Sequence, residues 1–428
     1  MKNKGFQHWW KLDNAAKIFP SSTSRHNSKV FRFICELQEP IKPQLLQDAL
    51  DRTLERFPIY QSVMKRGLFW YYLEDSSLPA LVRPEDTPPC FPIYPSIRRG
   101  LLFRVLYFRR RIILEVYHAL TDGAGALQFL RTLVYEYLLA CYPDAFGQPY
   151  PTLHLDASNW QKQADSFQKY YEKPAQTPLP LQIPKTAYRL KGSRLPKNRL
   201  AVLEGRFSLP EALTCARARG ITLTELMTAV QIRAIHERMR LRDMKKPVII
   251  SIPVNLRSYF PSKSARNFFA TIQVTYDFSR QEDSLEAIAA HVKQIFQSNL
   301  TKEYLRKRMN ALCALEHSIP LRVVPLPLKD IILRVANMLS MRGTTSSFSN
   351  VGKVSMPVEM EPYIRQFGVL SCAGVLQACA CSFGDCYVVS FAGPFREHEV
   401  ERTFFRELAQ LGLKIVLTTN FPAEGDVN

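Results

Sequence analysis

A chain of 428 residues, 46% hydrophobic and 11% aromatic, is long enough for two ordinary domains with large buried cores, which excludes a disordered chain. The net charge of +19 and pI of about 9.6 give a basic surface that attracts phosphorylated cofactors, nucleic acid or anionic lipid, without choosing among them. No stretch approaches about 18 uninterrupted apolar residues, so no transmembrane helix is expected. The stretch from Met1 to Trp10 lacks the long apolar core of a secretory signal. The expectation is a soluble cytoplasmic protein, with peripheral contact to a membrane surface left open.

Strand-like alternation covers 30–37, and Leu46, Leu50 and Leu54 share one face of an amphipathic helix over 43–57. Gly67 supplies a turn before an aromatic-rich strand at 68–73. Residues 101–108 and 111–117 read as paired strands, with Arg109, Arg110 and Arg111 a solvated basic run at their turn. A long helical pattern over 123–142 carries Leu127, Leu130, Leu133, Val134, Tyr137 and Leu138. Between about 144 and 198 prolines gather (Pro174, Pro178, Pro180, Pro184) and basic residues follow (Lys185, Arg189, Lys191, Arg194, Lys197), as in a linker. The division is therefore an N-terminal domain over 1–180 and a C-terminal domain over 181–428.

The second half repeats the element mix. A strand at 200–207 precedes a helix over 223–240, opened by the capping-box pair Thr222 and Glu225. Strands follow at 248–254 and 268–278, and a helix at 283–299. Strands at 369–377, 387–392 and 413–418 surround a helix at 399–411. Nine cysteines with irregular spacing argue against a disulfide framework and for a reducing compartment. The closest group, Cys372, Cys379, Cys381 and Cys386, lacks two CxxC pairs and reads as buried thiols rather than a metal site.

The most informative residues are His118-Ala119-Leu120-Thr121-Asp122-Gly123, which follow the apolar run Ile112, Ile113, Leu114, Val116. A histidine at a strand end can act as a general base near neutral pH, or can merely cap a turn. Further along stand Ile252-Pro253-Val254-Asn255-Leu256-Arg257, Arg266-Asn267-Phe268-Phe269-Ala270-Thr271 and Ser346-Ser347-Phe348-Ser349-Asn350-Val351-Gly352. There is no GxSxG elbow, Walker motif or GxGxxG.

The HxxxDG pattern resembles the core motif of the CoA-dependent acyltransferase superfamily, which includes chloramphenicol acetyltransferase, alcohol acetyltransferases, wax ester synthases and the condensation domains of peptide synthetases. The order of the segments, with the opening Trp9-Trp10-Lys11-Leu12-Asp13-Asn14-Ala15-Ala16, is most similar to stand-alone bacterial alcohol acetyltransferase-like proteins. Tyr117 stands where condensation domains usually carry a second histidine, and the DFGWG of plant members is missing. The resemblance implies an α/β (α+β) fold of two chloramphenicol-acetyltransferase-like lobes, each a mixed sheet with helices, and an active-site tunnel between them. It implies His118 as base, and Asp122 as a structural support paired with an arginine, for which Arg257 is the candidate. A solvated surface arginine is the competing reading of Arg257. Gly123, Ser349 and Asn350 would line the tunnel or stabilise an oxyanion, although Asn350 and Gly352 also suit a polar turn with positive φ.

The activity implied is transfer of an acyl group, most simply acetyl, from a CoA thioester to an alcohol or amine, with no acyl-enzyme. No permanently bound cofactor or metal is expected; acyl-CoA is a co-substrate. Its phosphates would suit basic residues at 185–199 or Arg238, Arg240, Arg242, Lys245 and Lys246, each of which also reads as solvated charge. A monomer that does not bind nucleic acid is expected. An acyl-carrier-protein donor, a non-catalytic binding relative and a nucleic-acid-binding protein remain as alternatives.

Overall fold

Apolar residues on both faces of a strand demand cover on both sides, and Val30–Leu37 is buried along nearly its whole length. In the computed structural model, which describes residues 8–24, 27–94, 100–148, 150–153, 165–172, 186–317, 323–372 and 374–420, it is the second strand of a five-stranded sheet. The order is Ile364–Ser371, Val30–Leu37, Arg111–Tyr117, Phe103–Phe108 and Arg83–Pro84. All neighbours are antiparallel except the last pair. The helix Pro43–Arg56 buries Leu46, Ala49, Leu50 and Leu54 and packs on the long helix Gly123–Cys141, which lies against the sheet. Phe57, Tyr60, Phe103 and Phe129 fill the space between, with Tyr60 stacked on Phe129 at 4.1 Å.

A seven-stranded sheet forms the second lobe, in the order Phe269–Tyr276, Val248–Asn255, Ser346–Lys353, Leu376–Phe383, Cys386–Gly393, Ala201–Ser208 and Val416–Thr419. Ser346–Lys353 runs parallel to both its neighbours; the other pairs are antiparallel. The helix Leu223–His236 packs against this sheet and against Leu285–Asn299 and Glu399–Gln410. Its capping box is complete: Glu225 N donates to Thr222 Oγ1 and Thr222 N to Glu225 Oε2. A small antiparallel sheet of Trp9–Lys11, Tyr71–Asp75 and Ser62–Arg66 stands apart from the other two.

Each large sheet has its own hydrophobic core. The sheets do not follow chain order, because Ile364–Ser371 from the C-terminal half supplies an edge of the first lobe's sheet, and Met360, Phe367 and Val369 enter its core. The strand predicted at 369–377 is in fact two. The chain leaves the first sheet at Ser371, turns at Gly374 (φ +76°) and joins the second sheet at Leu376. Similar apolar content on both sides of the turn conceals such a switch, since both strands are mostly buried.

Smaller corrections have local causes. The strand predicted at 68–73 is Tyr71–Asp75; the backbone of Gly67 bonds to Trp70 and leaves Leu68 at the tip of the turn. The helix predicted to 240 ends at His236, beyond which Met239 folds inward and is buried. None of the nine cysteines is in a disulfide, and Cys372, Cys379 and Cys381 are buried. No group of metal-ligating side chains occurs among the described residues. No helix among them is long and apolar enough to cross a membrane.

Candidate active site

The strand Arg111–Tyr117 carries the chain from its hairpin to His118, the first residue beyond the sheet. The backbone N–H of His118 donates to Lys29 O at 2.8 Å, which ties this exit to the start of the neighbouring strand. Lys29 itself takes φ +55°, so the two strand ends meet at a constrained corner. The imidazole is half-buried. Phe19 stacks on it at 4.5 Å, Phe31 meets it edge-on at 4.9 Å, and Phe269 tilts against it at 5.5 Å.

This apolar setting decides the protonation state. Burial lowers the His118 pKa from its ordinary 6.5, outweighing the opposing effects of Asp122 and of the hydrogen bond to Asn267. The ring is therefore neutral at pH 7. His118 Nδ1 lies 3.1 Å from Asn267 Oδ1. The amide is oriented by its other end, since Asn267 Nδ2 donates to Asp13 Oδ2 at 3.0 Å. With Oδ1 facing the ring, Nδ1 carries the proton and donates, which leaves the lone pair on Nε2.

Asp13 is fully buried. Its carboxylate also accepts from the backbone N–H of Ala16 at 2.8 Å and lies 3.7 Å from Arg266 Nε. Burial raises its pKa to about 6 despite that arginine. Beside the same corner, burial lowers the Lys29 amine to about 8.

Asp122 is turned away from this arrangement. Its side chain caps the helix Gly123–Cys141, with Oδ1 accepting from Gly125 N at 2.9 Å. Oδ2 accepts from Arg257 Nη1 and from Phe268 N, both at 2.7 Å. Arg257 is mostly buried rather than solvated, and its guanidinium also donates to the carbonyls of Ser264 at 2.9–3.0 Å and Arg266 at 2.5 Å. The pair thus clamps the loop 264–268 to the helix start, and that loop carries Asn267 to His118.

Gly125 permits the close approach. A Cβ there would lie 2.0 Å from Ala265 O and 2.1 Å from Thr121 Oγ1, whose hydroxyl donates to Ala265 O. Gly123 has more room: its nearest neighbour would be Phe33 at 3.9 Å.

Ser349 and Asn350 lie on Ser346–Lys353, the strand that pairs with Leu376–Phe383. Asn350 Nδ2 donates to Thr224 Oγ1 at 2.9 Å, and Asn350 Oδ1 accepts from Gly352 N at 3.0 Å. The strand bulges at this point, with Gly352 at φ +86° and Asn350 in the strand itself. No hydrogen bond or ring contact among the described residues joins Ser349 or Asn350 to His118.

Three of the basic residues considered for CoA phosphates are ion-paired. Lys191 and Lys246 flank Asp243 at 3.0 and 3.4 Å, and Arg238 bonds to Glu399. Lys185 lies outside the described residues.

Asp13, Phe19, Lys29, Asn267 and Gly125 were not singled out as site residues from sequence. Asp13 and Asn267 do sit within segments that resemble family elements, and Gly125 repeats the glycine of the DG pair two residues on. Nothing local in the sequence shows that residues 13, 118 and 267 converge.

No protein-family model matches the chain, and no curated protein matches it by sequence. Its fold, however, matches solved structures along almost its whole length. TRI3 trichothecene 15-O-acetyltransferase from Fusarium sporotrichioides superposes with a TM-score of 0.63 at 9% identity, covering 96% of each chain. Polyketide synthase associated protein 5 from Mycobacterium tuberculosis gives 0.61 at 14% identity, covering 94% of this chain and 97% of that one. F. sporotrichioides TRI101, crystallised with coenzyme A and T-2, gives 0.62 at 13% identity, with 94% and 98% covered. The chain therefore has the two-lobed, chloramphenicol-acetyltransferase-like fold shared by the CoA-dependent acyltransferases and condensation domains.

Proposed function

We propose that the protein transfers an acyl group, most simply acetyl, from a CoA thioester to an alcohol or amine, with His118 as general base. The observation that carries this reading is the His118 ring itself: neutral, partly exposed, and held by Asn267 in the tautomer whose Nε2 can accept a proton. A base so placed typically contributes about 10²–10⁴ in rate.

In this mechanism Nε2 takes the proton of the acceptor O–H or N–H as the heteroatom attacks the thioester carbonyl. The tetrahedral intermediate expels the CoA thiolate, which recovers the proton from the imidazolium. No residue is acylated. Asp122 and Arg257 hold the loop that presents Asn267, and so position the base without touching the reactants. The partly buried Gly123 and the side chains of Ser349 and Asn350 are assigned to the walls of the acyl tunnel.

Acyl-CoAs of increasing chain length, screened against alcohols, amines and lipid acceptors by free-thiol release and product mass, test the reaction. An acylated carrier protein in the same assay distinguishes that donor from free acyl-CoA. The His118→Ala protein is expected to fold normally and to lose turnover by at least about a hundredfold. Normal activity in that variant would overturn the mechanism.

A further inference from the structure

Helix Leu326–Arg342 is amphipathic in the inverted sense. Leu328, Ile331, Ile332, Val335, Met338 and Leu339 recur at helical spacing and face outward, each 41–57% exposed. The inward side is anchored to the protein by polar contacts. Asp330 accepts from Ser21 Oγ at 2.8 Å and from Tyr71 OH at 2.9 Å, and Leu326 N donates to Leu68 O at 2.9 Å. Lys329 Nζ donates to Phe69 O at 3.0 Å and lies 3.5 Å above the Trp70 ring.

These bonds join the helix to the turn whose tip exposes Leu68 (72%) and Phe69, beside an open aromatic groove that also includes the exposed Trp9. Exposed apolar residues thus lie on both the turn and the helix joined to it, and cations stand near them: Lys17, Arg334 and Arg342, with Arg66 3.8 Å from Asp330. The carboxylates of this region are already engaged, Glu74 with Lys65 at 3.1 Å and Asp330 with Ser21 and Tyr71.

We infer that this face seats on an anionic phospholipid bilayer. An outward aliphatic stripe, aromatic rings at its margin and nearby cations are what an interfacial helix needs: apolar burial into the acyl boundary and attraction to the headgroups. The chain's net charge of +19 strengthens that attraction. A second copy is the poorer occupant, because a twofold contact would set these cations against their own copies. The inward side of the same helix packs on the short helix Phe19–Ser22, whose Phe19 stacks on His118, so the docking helix and the candidate site share a neighbour. The inference rests on the surface alone and stands whether or not His118 is a base.

Flotation with phosphatidylglycerol–phosphatidylcholine vesicles at low salt tests it, beside vesicles of phosphatidylcholine alone. The whole protein is expected to partition at least tenfold more strongly onto the anionic vesicles and to be released as salt rises. The variant Ile331→Glu/Val335→Glu is expected to lose that partitioning at least tenfold while keeping its thermal melting and its turnover of soluble substrates. Leu68→Glu, on the neighbouring turn, is expected to weaken it further. Failure of the native protein to float, or equal flotation by the double variant, would overturn the inference. So would a dimer in lipid-free solution that the double variant dissolves, which would assign the face to a second copy.

Discussion

At His118 two requirements of a general base meet in one ring: a pKa below neutrality and a fixed tautomer. The first comes from Phe19, Phe31 and Phe269, the second from Asn267 and, behind it, Asp13. Replacing Asn267 by alanine frees the ring to place its proton on either nitrogen. The expected result is a ten- to hundredfold loss of kcat with little change in KM, read by steady-state kinetics, and loss of the single-tautomer signature in imidazole nitrogen NMR. Unchanged kcat would remove Asn267 from the positioning role.

The pH dependence follows from the direction of the His118 shift. Because burial lowers its pKa, the acid limb of kcat/KM is expected below pH 6.5. The same shift makes the unfolded chain bind a proton more readily than the folded one, so this histidine costs stability as pH falls through 6.5. The His118→Ala protein should therefore gain stability relative to the native protein between pH 7 and pH 5, measured as the difference in urea midpoints. Asp13 works in the opposite sense. With its pKa raised from 3.8 to about 6, its contribution is greatest below 3.8 and is lost as pH rises through 6.

At the scale of elements, the junction between the helix Gly123–Cys141 and the loop 264–268 holds the site together. Asp122 serves three partners at once: the helix N-terminus, Arg257 and Phe268 N. Substituting Arg257 by leucine strands a buried carboxylate, and a loss of about 3–5 kcal/mol in urea unfolding is expected. Gly125→Ala acts on the same junction by a different route, because the added methyl would overlap Ala265 O and must push the loop outward. A loss of about 1–3 kcal/mol is expected from such overpacking, accompanied by a larger fall in turnover than in stability as Asn267 leaves the ring. Full activity in Gly125→Ala would show that the loop position is not critical.

Over the whole molecule, the two lobes are stitched together by one strand exchange. Ile364–Ser371 pairs with Val30–Leu37 over most of its length, so the first lobe's sheet is completed from the far end of the chain. A fragment ending at residue 180 would expose the edge of Val30–Leu37 and part of an apolar core, which favours aggregation. Such a fragment is expected to lack cooperative unfolding by circular dichroism; a sharp transition would show that the lobe folds without the borrowed strand.

Much of this organisation was legible in the sequence because its causes are local. The strands at 30–37 and 111–117, the capping box at Thr222 and the helix begun by Asp122 all arise from side chains within a few residues of one another. The order of the HxxxDG pattern and the later segments implied the two-lobed fold, which the structure has, and made His118 the candidate base. What only the tertiary structure decided involves residues far apart in the chain. Periodicity reports whether a segment is buried, not which sheet buries it, so the passage from Ser371 to Leu376 between sheets was hidden between two stretches of similar apolar content. Asn267 stands 149 residues after His118, the Asp13 that orients it 254 residues before Asn267, and the clamp on Asp122 is 135 residues away. Those meetings depend on chain crossings that leave no local pattern, and they set the tautomer, the pKa and the exposure of the ring.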